Sequence, residues 1–135
     1  MDKILVCFDG SEGSKKALNK AMNLMDENGT LFLLAVIESF DEDKFIDHDM
    51  HEKLKAKASE MIEGVVGDMG EHGFDFKGLV EEGDPSEVII DFANRLDVDL
   101  IMIGRRGHGK LGRFVIGGVA SRVVQYANKP VMVVR

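Results

Sequence analysis

Short apolar segments alternate with longer amphipathic segments along the chain. Most of the apolar segments are rich in Val, Ile and Leu, and they predict five strands, at residues 3–8, 30–37, 75–81, 99–103 and 130–134. Between them, apolar residues recur three or four positions apart and predict four helices, at residues 14–27, 51–72, 85–96 and about 117–127. This alternation is typical of an α/β fold in which helices cover a parallel sheet.

Capping and turn residues support several of these boundaries. Asp84 stands at the N-cap position of the third helix, Pro85 follows at the first helical position, and Glu87 completes a capping box. The pair Asn28-Gly29 ends the first helix. Residues 38–50 are rich in Asp and predict an acidic connection between the second strand and the second helix.

Length and composition are those of one compact globular domain, so we predict a single domain over residues 1–135. No apolar run approaches the roughly 20 residues that span a bilayer. The first strand begins too early to leave room for a signal peptide, so we expect a cytoplasmic protein with no membrane partner. A formal net charge of −7 argues against nucleic acid as a partner.

Positive charge is concentrated at the C-terminal end of the chain. Residues 104–135 contain seven Lys or Arg and no Asp or Glu, whereas residues 1–103 contain ten basic and 24 acidic side chains. The formal net charge is therefore +7 for the C-terminal part and −14 for the remainder. A small anionic ligand suits this local surplus better than duplex DNA, which needs a broad basic face.

A basic, glycine-rich loop follows the fourth strand, with the sequence GRRGHGKLGRFVIGG at residues 104–118. Gly104 and Gly107 allow backbone amides to approach a ligand closely. Gly117 and Gly118 fall at the start of the last helix, where free amides and the helix dipole favour phosphate. The pattern predicts an anion site. An equally simple interpretation is that the glycines only shape the loop and its cationic side chains form a solvated surface.

Asp9 is a second candidate ligand residue, because it follows the first strand in the turn Asp9-Gly10-Ser11. In a doubly wound sheet, loops after neighbouring central strands face a common crevice, which would bring this turn beside the basic loop. A carboxylate at that place can accept a hydrogen bond from an adenine amine or a ribose hydroxyl. The alternative is a role as turn residue or helix cap.

Segments spread over essentially the full length resemble the universal stress protein family, specifically its small single-domain members. They are residues 3–11 (KILVCFDGS), 34–37 (LAVI), 83–85 (GDP), 99–104 (DLIMIG) and 130–134 (PVMVV). The nucleotide-binding branch of that family has a glycine, two residues, a glycine, nine residues, a glycine, and then Ser or Thr. Gly104, Gly107 and Gly117 match this spacing, whereas Gly118 stands where the hydroxyl residue is expected.

The resemblance implies a Rossmann-like sheet of five parallel strands in the order 3-2-1-4-5, with helices on both faces. It implies ATP with Mg²⁺ as the ligand, with Asp9 and Val36 near adenine and ribose. The residues implied on the phosphates are Gly104, Arg105, Arg106, Gly107, His108, Gly109, Lys110, Gly117, Gly118 and Val119. It also implies a homodimer in which the last strand, residues 131–134, pairs with its copy. Such pairing would cover an apolar edge strand, which is a liability when it is left exposed.

Gly118 is a departure from the nucleotide-binding pattern. A Ser or Thr hydroxyl would add a hydrogen bond to phosphate worth about 1.5–3 kcal/mol, or roughly ten- to a hundredfold in affinity. The backbone amide survives the change, and Ser121 and the loop arginines are candidates for compensation. We therefore expect ATP binding to be weakened or retained, not absent.

These observations predict a universal stress protein that binds ATP as a regulatory or stress-response module, with slow or absent hydrolysis. Two alternatives stay open: an ATP-hydrolysing or phosphate-transfer enzyme that uses Lys110 or Arg113, and a dimeric interaction protein without nucleotide. We assign no catalytic residue and no metal site. His48 and His51 are interpreted as part of a solvated acidic loop.

Overall fold

The computed structural model describes residues 1–38, 48–105 and 117–135. Most of the acidic connection and most of the basic loop therefore lie outside the described residues. Strands and helices alternate in the order β1 (Lys3–Cys7), α1 (Glu12–Leu24), β2 (Thr30–Ile37), α2 (His48–Asp68), β3 (Asp75–Glu82), α3 (Pro85–Arg95), β4 (Leu100–Gly104), α4 (Gly118–Tyr126) and β5 (Val131–Val134).

The five strands run parallel in one sheet, in the order β3-β2-β1-β4-β5. The predicted α/β class and strand order are thus confirmed. In the central strand β1, Val6 is aligned with Leu33 of β2 on one side and with Met102 of β4 on the other. The chain leaves β1 toward β2 and later returns to β4, so β1 and β4 flank the switch point where such sheets bind ligands.

The sheet separates two hydrophobic clusters. Ile4 and Val6 pack with α1 and α2 on one face, and Leu5 between them packs with α3 and α4 on the other. Burial on both faces explains the continuous apolar sequences of β1, β2 and β4. Helices therefore cover both faces, as predicted.

Several helix boundaries differ from the prediction because caps and tertiary contacts decide them. α1 begins two residues early, since the Ser11 side chain caps it by accepting a hydrogen bond from the Ser14 amide at 3.2 Å. It ends three residues early, at Leu24, whose carbonyl oxygen accepts a hydrogen bond from the Met1 ammonium group at 3.1 Å. α2 ends four residues early, just before Gly70 adopts a left-handed φ of 65°.

Across the described ranges, none of the helices combines the length and the apolar character needed to cross a membrane. The cytoplasmic location stays a prediction.

Candidate functional site

A cavity of about 430 Å³ opens beside the carboxyl ends of β1 and β4. Its volume lies in the range of small-molecule sites. The described residues that line it come from three strands, three helices and the turns after the strands: Cys7, Phe8, Asp9, Ser11, Ser14, Leu34, Val36, Pro85, Ile89, Ile103, Gly104, Arg105, Gly117, Gly118, Val119 and Ala120.

Seven of the ligand residues expected from the sequence line this cavity: Asp9, Val36, Gly104, Arg105, Gly117, Gly118 and Val119. The other five, Arg106, Gly107, His108, Gly109 and Lys110, lie outside the described residues. The fold therefore brings the turn after β1, the end of β2 and both ends of the basic loop around one space.

Asp9 presents an ionised carboxylate to the cavity. Gly10 forms the following turn with a positive φ of 83°, and the Ser11 amide donates a hydrogen bond to Asp9 Oδ1 at 2.9 Å. Burial raises the pKa of Asp9, but hydrogen bonds, the largest from the hydroxyl and amide of Ser11 and a further one from the Ser14 side chain, together outweigh this effect and leave the pKa below its ordinary value. A carboxylate only accepts hydrogen bonds, so this part of the cavity favours ligand groups that carry N–H or O–H donors. By accepting the hydrogen bond from the Ser11 amide, Asp9 also acts as a turn residue, which is the alternative role considered from the sequence.

Gly104 allows β4 to end directly against the first turn of α1. A Cβ atom on Gly104 would lie 2.6 Å from the carbonyl carbon of Gly13 and 3.0 Å from the amide nitrogen of Ser14. A larger residue would therefore displace the start of α1, where Ser11 and Ser14 are buried in the cavity wall. The glycine predicted to let a ligand approach thus also has a packing role.

The start of α4 faces the same cavity. Gly117 is the N-cap residue and has no side chain to bond the first free amides of the helix. The Gly117 amide donates a hydrogen bond to the carbonyl oxygen of Arg105 at 2.9 Å, and the Arg105 amide donates to the carbonyl oxygen of Val134 at 2.8 Å. A helix N-terminus beside an arginine is an arrangement suited to an anion.

Gly118, the first residue of α4, is exposed. A Cβ atom on it would meet no described atom within 4 Å, so the described surroundings leave room for a hydroxyl residue. Ser121, the candidate for compensation, is exposed and is not among the described residues that line the cavity. Ser121 is therefore not placed to replace the missing hydroxyl, whereas Arg105, the other described candidate for compensation, lines the cavity.

One wall of the cavity is apolar and includes residues that were not predicted from the sequence: Leu34, Pro85, Ile89 and Ile103. With Val36 they form a surface suited to an uncharged ring. Leu34 and Ile103 lie near the carboxyl ends of central strands, and that position is the signal by which the sequence could have revealed them. Pro85 and Ile89 reach the cavity only because α3 packs beside it.

Cys7 is a further lining residue that was not assigned to the site. Burial, and then the negative charge of Asp9, raise the pKa of this half-buried thiol to about 12. The thiol stays protonated at neutral pH, so Cys7 contributes a small uncharged surface and no reactive thiolate.

The positive charges of the C-terminal part do not all face the cavity. Arg122 Nη1 lies 3.9 Å from Asp84 Oδ1, and Lys129 forms an ion pair with Asp97. Both carboxylates belong to the acidic part of the chain, so the fold neutralises some of the surplus seen in the sequence. Arg105 supplies positive charge within the described lining.

His48 and His51 lie in the first turn of α2, so their interpretation as part of a loop was wrong, and the helix begins three residues before its predicted start at residue 51. His51 is buried, and its Nε2 atom lies 3.5 Å from Glu82 Oε2. Lys55 Nζ lies 2.7 Å from the other carboxylate oxygen of Glu82. In the described part of the chain, no group of three or more His, Cys, Asp or Glu side chains is arranged to hold a metal ion.

Comparison with known proteins confirms the resemblance found in the sequence. The model of the universal stress protein family matches residues 1–135. Universal stress protein YxiE of Bacillus subtilis is 29% identical over an alignment 147 residues long, gaps included, which covers 99% of this chain and 99% of the other. Among solved structures, hypothetical protein MJ0577 of Methanocaldococcus jannaschii is 29% identical, with a TM-score of 0.86 and coverage of 98% of this chain and 94% of the other.

Two more distant structures share the fold. A universal stress protein family protein from Arabidopsis thaliana with AMP bound is 23% identical, with a TM-score of 0.72 and coverage of 99% of this chain and 91% of the other. A universal stress protein in complex with cAMP is 21% identical, with a TM-score of 0.67 and coverage of 99% and 97%.

Proposed function

Because the chain belongs to the universal stress protein family, we propose that it is a stress-response module that binds ATP with Mg²⁺ and hydrolyses it slowly or not at all. One observation carries the proposal. A single cavity combines an ionised hydrogen-bond acceptor at Asp9, an apolar wall and a helix start beside Arg105.

These three features correspond to the three parts of a nucleotide. The Asp9 carboxylate is suited to donors on the base or the ribose, and the wall that includes Leu34 and Val36 is suited to the base. Arg105 and the first amides of α4 are suited to phosphate. The AMP and cAMP held by the two distant family structures support adenine as the base.

In this proposal Mg²⁺ is bound mainly by the nucleotide. The described lining contains one carboxylate, that of Asp9, and it already accepts a hydrogen bond from Ser11. Mg²⁺ commonly keeps several waters and takes other ligands from substrate phosphates. An all-protein magnesium cage is therefore not needed at this site.

We infer slow or absent hydrolysis from the state of the same carboxylate. A general base works best when its pKa lies near the working pH, whereas the pKa of Asp9 is lowered below its ordinary value. Asp9 is therefore a weak base for activating water. Steady release of phosphate from ATP by the purified chain, abolished by Lys110→Ala, would instead favour the phosphate-transfer alternative.

We also propose a homodimer that pairs two copies of β5. The edges of the sheet differ in charge, since β3 carries the four charged residues Asp75, Lys77, Glu81 and Glu82, and β5 carries none. The four residues of β5 are apolar and only half-buried. Charged side chains discourage edge pairing and an apolar edge favours it, so a second copy is expected on β5.

Isothermal titration of the full chain with Mg-ATP tests the nucleotide proposal. We expect saturable heat, and a Kd about tenfold higher for Arg105→Gln because a charge-assisted hydrogen bond to phosphate is lost. Arg95→Gln is the matched control, since Arg95 lies on α3, pairs with Asp91 and does not line the cavity. Absence of both heat and a thermal shift at millimolar ATP would overturn the proposal.

A further inference from the structure

An ion pair links the start of α3 to α4, and both helices contribute residues to the cavity lining. Asp84 immediately precedes Pro85 at the start of α3, and Arg122 follows Val119 by three residues in α4; Pro85 and Val119 both line the cavity. We propose that Asp84 and Arg122 are positioning residues that set the separation of Pro85 and Val119 and thereby the fit of the ligand. The inference rests on the nucleotide-binding function proposed above.

The two oxygens of Asp84 have different partners. Oδ2 accepts hydrogen bonds from the Ser86 hydroxyl at 2.7 Å and from the Glu87 amide at 3.2 Å, which holds the first turn of α3. Oδ1 lies 3.9 Å from Arg122 Nη1 of α4. The same carboxylate therefore both caps one helix and attracts the other. The Ser86 hydrogen bond, followed by the Glu87 amide, lowers the pKa of Asp84, so the group is charged at neutral pH.

The backbone before Asp84 is attached to the strand that carries another lining residue. The Gly83 amide donates a hydrogen bond to the carbonyl oxygen of Ile37 at 3.0 Å, and Ile37 follows Val36 in β2. The start of α3 is thus fixed on the β2 side by a backbone bond. On the α4 side, the ion pair supplies a polar link beside the cavity.

Deeper in the molecule the two helices are held by packing. Ile89 and Ala93 of α3 and Ala120 and Val123 of α4 are buried in one cluster. The ion pair lies at the solvent side, where 42% of the Asp84 side chain and 66% of the Arg122 side chain are exposed. Loss of an exposed pair has a small effect, so we expect a change in ligand affinity of about two- to fivefold.

A double-mutant cycle in nucleotide affinity tests the proposal. Asp84→Asn keeps an N-cap acceptor for α3 and removes the charge, and Arg122→Gln removes its partner. We expect each single variant to raise the Kd for Mg-ATP about two- to fivefold, and the double variant to raise it no further than either single variant. The control is Asp91→Asn, which removes the exposed pair of Arg95 with Asp91 (3.0 Å) elsewhere on α3 and should leave the Kd unchanged.

The sign of the Asp84→Asn effect separates positioning from simple charge attraction. If the two residues only changed the potential around an anionic ligand, loss of the acidic charge would tighten binding and loss of Arg122 would weaken it. Positioning predicts that both variants bind more weakly. A merely structural role would lower the Tm of Asp84→Asn in the absence of nucleotide without changing its affinity.

Three results would overturn the positioning role while ATP binding stands. They are wild-type affinity in both single variants, tighter binding by Asp84→Asn, and additive effects in the double variant. Failure of the wild-type chain to bind Mg-ATP would overturn the proposed function and this inference with it.

Discussion

The Gly117 amide donates a hydrogen bond to the carbonyl oxygen of Arg105, with 2.9 Å between nitrogen and oxygen. Because Arg105 follows β4 and its own amide is bonded to Val134, this contact joins the start of α4 to the ends of β4 and β5. Backbone hydrogen bonds therefore hold the two ends of the proposed phosphate site in place. Side-chain substitutions can test its chemistry without removing those bonds.

Placing a hydroxyl at Gly118 should strengthen ATP binding. Gly118 is the first residue of α4, and a Cβ atom there would meet no described atom within 4 Å. We expect Gly118→Ser to bind Mg-ATP about tenfold more tightly, or better, because a hydrogen bond to a charged acceptor contributes about 1.5–3 kcal/mol. Isothermal titration measures the change. Gly118→Ala adds the Cβ atom alone, and an equal gain in that control would contradict the hydroxyl explanation.

Gly104→Ala should destabilise the fold, because the new Cβ atom would lie 2.6 Å from the carbonyl carbon of Gly13 in a contact made by backbone. We expect the free energy of unfolding to fall by about 1–3 kcal/mol. Gly64→Ala is the comparison, since Gly64 lies exposed in α2 and a Cβ atom there meets nothing described within 4 Å. That variant should gain about 0.5–1 kcal/mol from helix propensity. Urea unfolding measures both, and equal stability of the two variants would be inconsistent with the Gly104–Gly13 contact.

The contribution of Asp9 to stability should depend on pH. Its pKa is lowered in the folded state, so the ionised carboxylate stabilises the fold above the ordinary carboxyl pKa of about 3.9. The stabilisation is lost as the pH falls through the lower folded-state value. We expect Asp9→Asn to be less stable than the wild type at pH 7, with the difference shrinking below about pH 4. Denaturant unfolding across this range measures the difference, and a difference independent of pH would exclude the hydrogen-bonded carboxylate as its source.

Val133→Pro should convert the proposed dimer to a monomer. The carbonyl oxygens of Pro130 and Val134 accept hydrogen bonds from Ile101 and Arg105, so the backbone of the even-numbered residues faces β4. The alternate residue Val133 therefore directs its amide to the free edge, and proline removes that donor. Sedimentation at micromolar concentration measures the state of association. Val133→Ala shortens the side chain and keeps the amide, so it should remain a dimer; a monomeric wild type would reject pairing through β5.

The periodicity of apolar residues was sufficient to predict the α/β class and the nine strands and helices that the described residues form. Helical spacing of apolar residues is a local property that can be read from the sequence. The continuous apolar runs of β1, β2 and β4 can be read in the same way, because burial of a strand on both faces requires them. The strand order came from the family resemblance and not from periodicity, since local pattern does not specify which strands become neighbours. The positions of Asp9, Gly104 and Gly117 followed from the same resemblance and from their places at strand and helix ends.

Tertiary structure alone decided which other residues share the cavity. Pro85 and Ile89 line it because α3 packs beside the end of β2, and Arg122 reaches Asp84 because α4 packs beside α3. The end of α1 likewise depends on Met1, more than twenty residues away in the chain. Such contacts join segments that are far apart in the chain, and the local sequence of one segment does not indicate that it will contact the other. The sequence by itself determined the elements and the chemistry at their ends, whereas packing of helices on the sheet determined which of those ends meet.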